Sequence, residues 1–233
     1  MMNQKPPQKV RERFNKNYFE KRAWEGNTLV CGIDEVGRSP LAGPLVTAAA
    51  ILPIGKTHRL LKDSKEMTHE ERKRAERWIK KHCWYGYGIV HHRIITQHNI
   101  WHATLIAMKR ALLNALAMCP EKPSAILIDA MPLQLHDTSC DIPVYYFNKG
   151  EKRSSSIAAA SILAKEKRDA MMRRMEKVFP GYSFASNKGY GTKVHRQAIK
   201  QIDLTIVHRA SFVKRFLTDS DEYEGQQSLF RSD

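Results

Sequence analysis

The spacing of apolar residues changes period several times along the chain, and each change marks an element. Residues 29–34 and 45–52 are runs of β-branched or small apolar residues parted by a Gly/Pro turn, the pattern of two short strands. Thr68-x-x-Glu71 is a capping-box signature that opens a charged helix reaching about residue 81. Residues 84–94 read as a third strand. Ile100, Leu105, Met108, Leu112 and Leu116 then recur at helical spacing, which predicts an amphipathic helix over 96–118 with that stripe in the core. Residues 125–129 form a short apolar strand ending in a carboxylate, and 143–147 form another. A helix over 153–177 opens with small residues, a composition that lets a helix lie close to a sheet. Helices over 192–202 and 211–216 complete an α/β pattern that starts with a meander.

The composition changes the picture in one respect. The chain has 233 residues and is 42% hydrophobic, enough for one ordinary domain with small additions. Its 39 Lys+Arg against 24 Asp+Glu give a net charge of +15 and a pI near 9.8. Such an excess favours a polyanionic partner, because each phosphate neutralised releases a condensed counterion. Residues 1–17 are polar and basic and read as a mobile arm. Residues 218–233 reverse the sign and read as an acidic, disordered tail. The body, residues 18–217, is the expected folded domain. Cys31, Cys83, Cys119 and Cys140 form no C-x-x-C pair, which argues against a structural zinc site and suits a reducing compartment. No apolar run reaches the roughly 20 residues of a membrane span, so the expectation is a soluble, cytoplasmic protein with no membrane partner, acting as a monomer.

The candidate chemistry is carried by acids at strand ends. Asp34 and Glu35 close the first strand and Asp129 closes the fourth. If those strands are parallel neighbours, their ends lie about 5 Å apart. Taken singly, each acid reads as an ordinary surface or capping residue. Together, in a strongly basic chain, they suit a hard divalent cation, which prefers oxygen ligands. Two such ions about 4 Å apart activate a water and stabilise the leaving oxygen of a phosphodiester. Beyond the acid pair, Gly37 and Gly43 leave main-chain atoms bare beside Arg38.

GIDEVGRSPLAGP, the ILID strand, SIAAASILAKEKRD, KGYGT-x-x-H and HRASF occur in that order, and together they resemble bacterial ribonuclease HII over about residues 18–216. The resemblance implies a ribonuclease H-like fold, a five-stranded mixed sheet flanked by helices with a helical C-terminal part. It implies endonucleolytic cleavage of the RNA strand of RNA–DNA hybrids and of single ribonucleotides embedded in DNA, in the setting of DNA replication and repair. It also implies that Asp34, Glu35 and Asp129 hold Mg²⁺ or Mn²⁺. The fourth acid of the family follows a Lys-Gly pair; here that position is Glu151, where Asp is usual. Asp169 fits a family motif as structural support.

By the same resemblance a Gly-Arg-Gly loop reads the ribose 2′-hydroxyl through its backbone while a tyrosine stacks on the sugar. The matching positions are Gly37, Arg38, Ser39 and Tyr190. If position 39 needs a positive φ, its serine costs roughly 1–2 kcal/mol. Lys188, His195 and Arg209 are candidate phosphate contacts, with local packing as the second reading for His195. Ala130-Met131 departs from the family's Gly-Asn beside Asp129. In the tail, Gln226, Leu229 and Phe230 resemble the peptide that docks replication proteins on the bacterial sliding clamp. Two alternatives remain: another nuclease of the same superfold, such as a junction resolvase, and a hybrid-binding protein with impaired catalysis.

Overall fold

The computed structural model describes residues 6–135 and 141–218. A mixed sheet of order β1-β6-β5-β2-β3-β4 forms its centre. Strands β2 (Val30–Val36), β3 (Leu45–Ile51) and β4 (Trp84–Val90) make the expected antiparallel meander, and β5 (Ala125–Asp129) and β6 (Val144–Phe147) run parallel to β2. The sheet has six strands where five were expected. Gln8–Lys9 forms β1 and pairs in parallel with Tyr145 and Tyr146 of β6.

The segment 8–17 of the expected mobile arm is therefore laid against the sheet. Its charged residues hide an apolar anchor: the Phe14 ring meets Phe19 and Phe147 edge-on at 5.2 and 5.0 Å. The chain continues into α1 (Tyr18–Glu25), whose Glu20 is fully buried and accepts from the Ser154 hydroxyl and the Ser156 N–H. A carboxylate at that place suits the positive N-terminal end of the helix that Ser154 caps.

Helices cover both faces of the sheet. On one face α3 (His92–Met118) packs Met108, Ala111, Leu112 and Ala115 onto Cys31, Ile33 and Ile51. It begins four residues earlier than the periodicity predicted, and Asn99, at φ 60° and ψ 169°, kinks it. On the other face lie α2 (His69–His82), opened by the Thr68–Glu71 capping box, and α5 (Ser155–Val178). The small residues that open α5 lie against the sheet as expected: a Cβ on Gly32 would stand 2.2 Å from the Ser156 carbonyl carbon. The close approach of α5 to β2 brings Ser161 to the strand's acidic end.

Between β6 and α5 a single turn forms α4 (Gly150–Arg153). After α5 come α6 (Phe184–Asn187), α7 (Lys193–Ile202) and α8 (Ala210–Thr218). They close a separate core of Leu41, Met172, Tyr182, Phe184, Ile199 and Val213, which ties the C-terminal helices to the turn after β2. Among the described residues no helix is long and apolar enough to cross a membrane, and Cys31, Cys83 and Cys119 are not disulfide-bonded. Gln226, Leu229 and Phe230 lie outside the described residues.

Candidate active site

The register Ile33↔Ile128 sets Asp34 beside Asp129 at the ends of two parallel strands. Phe147 pairs with Asp129, so the turn after β6 carries Glu151 to the same edge. There the Gly150 N–H donates to Asp129 Oδ1 at 3.0 Å and fixes that carboxylate. The charge on Asp129 acts on all three other acids. Burial, then the charges of Glu35 and Asp129, push Asp34 well above the usual carboxylate range, against a hydrogen bond from Ser161. Burial raises Glu35 to about 7, although Arg38 opposes it through a 3.5 Å ion pair. Burial also raises Glu151, with Asp129 adding to the shift.

Such crowding of like charges is unfavourable unless a cation offsets it. Two oxygens, Glu35 Oε2 and Glu151 Oε2, are buried with no hydrogen-bond partner. Buried acceptors without partners are uncommon, and a hard cation satisfies them with the oxygen ligands it prefers. The donor set therefore fits Mg²⁺ or Mn²⁺. Among the described residues no three His, Cys, Asp or Glu side chains stand close enough together, as they are placed, to hold a metal ion.

The turn after the acid pair is held from beneath by two buried arginines. Arg168 of α5 donates to the carbonyls of Pro44, Ala42 and Lys188 at 2.9, 3.1 and 2.8 Å. Arg209 donates to Gly37 at 2.7 Å, to Arg38 at 2.9 Å and twice to Gly43 at 3.2 and 2.9 Å. The expectation that Arg209 touches substrate phosphate is corrected by this geometry. It is fully buried and its donors are spent on backbone carbonyls. Burial, with the charge of Arg168, lowers it to about 9.

Glycine is required at position 37, where φ is +94° and a Cβ would stand 2.3 Å from Arg168 Nε and 2.9 Å from the Pro44 carbonyl oxygen. Ser39 is exposed and is absent from the residues with positive φ, so the strain considered for serine there does not arise. Ala130 is the strained neighbour, at φ 56°. A glycine fits that conformation better, which accounts for the family's glycine; nothing in the structure explains the alanine here.

The loop bearing Tyr190 docks on the same turn, because Leu41 and Ala42 both donate to the Gly189 carbonyl. Tyr190 is 38% exposed, and the Arg168 guanidinium lies 5.8 Å from its ring centroid. Gly37, Arg38, Ser39 and Tyr190 are thus brought together. Lys188 sits beside them, half-buried, with its ammonium on the Ala185 carbonyl.

His195, another of the three expected phosphate contacts, follows its second reading instead: it is fully buried and packs locally. The Thr205 N–H donates to His208 Nδ1 at 2.9 Å, which leaves the His208 proton on Nε2. That N–H meets His195 Nε2 at 3.1 Å, and the His195 Nδ1–H then donates to the Tyr190 carbonyl at 2.9 Å. Burial lowers both imidazoles, His208 to about 4, so both are neutral near pH 7.

Sequence reasoning missed three parts of this site. Arg168 and His208 each position a loop. The third part is the turn at Asp63, Ser64 and Lys65, where Ser64 Oγ lies 3.0 Å from Ser161 Oγ and the Lys65 charge lowers Glu35. Its only signal was a polar run before a capping box. Asp169 accepts from Lys165 at 2.9 Å and is buried, consistent with structural support.

A family model described as ribonuclease HII matches residues 31–215. A ribonuclease HII of Staphylococcus epidermidis is 45% identical over 199 residues, covering 84% of this chain and 74% of its own. Among solved structures, the Archaeoglobus fulgidus RNase HII in its complex with PCNA is similar at a TM-score of 0.66 and 21% identity, covering 84% of this chain and 98% of that one. Bst-RNase HIII in complex with Mn²⁺ is similar at 0.62 and 21% identity, covering 91% and 76%. By sequence and by fold, this chain belongs to the ribonuclease HII family, nucleases that hydrolyse RNA in RNA–DNA hybrids.

Proposed function

We propose that this protein cleaves the RNA strand of hybrids, and single ribonucleotides embedded in duplex DNA, leaving 3′-hydroxyl and 5′-phosphate ends. The observation that carries this reading is the meeting of four carboxylates at one end of β2 and β5, two of them with buried, unpartnered oxygens. Asp34, Glu35, Asp129 and Glu151 would hold Mg²⁺ or Mn²⁺, and the Mn²⁺ complex of Bst-RNase HIII supports that choice. When bound, such ions polarise the phosphodiester and stabilise charge on its leaving oxygen.

The rest is positioning by the protein. The Gly150 N–H orients Asp129, while Ser161 orients Asp34. The backbone of Gly37, Arg38 and Ser39, free of a bulky side chain at 37, reads the 2′-hydroxyl while Tyr190 stacks on the sugar. Lys188 contacts a neighbouring phosphate.

The test is a duplex DNA carrying one ribonucleotide, incubated with Mg²⁺ or Mn²⁺. The expected result is a cut at that nucleotide, lost in Asp34→Asn. Cleavage of four-way junctions instead, or binding without cleavage, would overturn the proposal.

Residues 18–217 form the catalytic domain in this reading. Gln226, Leu229 and Phe230 in the acidic tail dock on a sliding clamp, a role supported by the PCNA complex of the Archaeoglobus protein. Unchanged clamp affinity after deletion of residues 226–230 would refute that role.

A further inference from the structure

We infer that the N-terminal segment and Arg153 form a second binding cleft, for the phosphodiester backbone of the duplex that flanks the cut. The inference rests on the proposed hybrid cleavage and adds a subsite away from the carboxylates.

A cleft of about 860 Å³ lies between the start of α1, the segment before it, and α4. Its wall carries five cations, Arg13, Lys16, Lys21, Arg22 and Arg153, against one carboxylate, Glu25. Among the described residues none of the five is in an ion pair with an acid, although the charge of Glu20 acts on Lys16. The Lys16 ammonium sits on the Leu61 carbonyl, Arg22 donates to the Tyr18 hydroxyl, and Arg153 Nη2 donates to the Glu12 carbonyl. Like charges gathered around one concavity repel unless a polyanion enters, and a duplex presents one phosphate charge about every 1.7 Å of its axis.

The cleft is built rather than incidental. The Arg153 guanidinium stacks 3.6 Å over the Phe14 ring, which itself packs on Phe147 of β6. Asn17 N–H donates to the Arg153 carbonyl, and Asn17 Oδ1 accepts from the Ser155 N–H. These contacts hold the basic segment against α4 and the start of α5.

Its place relative to the chemistry is what selects the ligand. Arg153 follows Glu151 by two residues in the same turn. The carbonyl that Lys16 caps belongs to Leu61, two residues before Asp63, whose charge acts on Glu151. A duplex whose scissile phosphate lies over the carboxylates thus has a basic cleft beside it for its continuing backbone. The same geometry explains why a chain with so many acids at its centre can bring a polyanion there.

The test compares the full-length protein with two triple variants by the salt dependence of hybrid binding and by KM and kcat for cleavage. In the first, the exposed residues Arg13, Lys21 and Arg22 are changed to Gln. In the second, the exposed α2 residues Arg74, Arg77 and Lys81 are changed to Gln, which removes the same charge elsewhere. The first variant is expected to lower the slope of log K against log salt by about 2.7, at about 0.9 per phosphate contact. Its KM rises while kcat holds, and the α2 variant keeps the parent slope and KM. Equal effects from the two variants, or a parent-like slope in the first, would overturn the cleft. A parent protein that neither binds nor cuts hybrids would overturn the proposed function and the cleft with it.

Discussion

Replacing Arg209 separates a scaffold role from a substrate contact. Arg209→Met removes the donors of four hydrogen bonds to the carbonyls of Gly37, Arg38 and Gly43. Each buried carbonyl left unpaired costs about 1–3 kcal/mol. Relief from burying a cation with no acid beside it offsets part of that sum. A net loss of about 3 kcal/mol follows, and Arg209→Lys, able to reach one carbonyl at a time, loses about half as much. In urea titrations at a slope near 2 kcal/mol/M, the midpoint of the Met variant falls by about 1.5 M. The salt dependence of hybrid binding should stay at the parent value, because no phosphate contact is lost. Parent stability with a salt slope reduced by about 0.9 would refute this reasoning and restore Arg209 as a phosphate ligand.

Other substitutions probe the backbone and the buried imidazoles. Ser39→Gly should keep cleavage at the parent rate and lower thermal stability by about 0.5–1 kcal/mol, since Ser39 does not use a positive φ and glycine adds only unfolded-state freedom; a large loss of activity would make the serine a required contact. Ala130→Gly relieves a φ of 56° and should stabilise the fold by about 1 kcal/mol in denaturant titrations. His208 is held near 4 against an unfolded value near 6.5, so the unfolded state takes up its proton first. The stability it contributes is complete above pH 6.5 and is lost as pH falls towards 4, by up to about 3 kcal/mol. His208→Gln should flatten the acid limb of the stability profile by that amount, and an unchanged limb would refute the assignment.

Strand positions were legible because β2 and β5 are buried on both faces and read as apolar runs, so a carboxylate ending each run stood out. Asp34, Glu35 and Asp129 could therefore be named before any coordinates, whereas Glu151, in the turn after β6, was named through the family resemblance. The arginines could not be sorted in the same way. A cation that grips carbonyls and one that grips phosphate have the same sequence signal, and burial is what sets Arg209 apart from the half-buried Lys188. The His195–His208 pair joins a position inside α7 to one six residues after its end, and its meaning lies in which nitrogen faces which partner. The N-terminal segment read as mobile because its charges outnumber its aromatics, yet the β1 pairing and Phe14 anchor it on β6 and Arg153. Polar composition hid the turn at Asp63–Lys65 as well, since its role comes from where α5 places Ser161.

In the proposed function four carboxylates, Glu151 among them, form one metal site. Mn²⁺ titration of the full-length protein, followed by electron paramagnetic resonance of the free ion, tests it directly. The account predicts saturable Mn²⁺ binding that weakens at least tenfold in each of Asp34→Asn, Asp129→Asn and Glu151→Gln. Parent-like binding in Glu151→Gln, with loss in the other two, would contradict it.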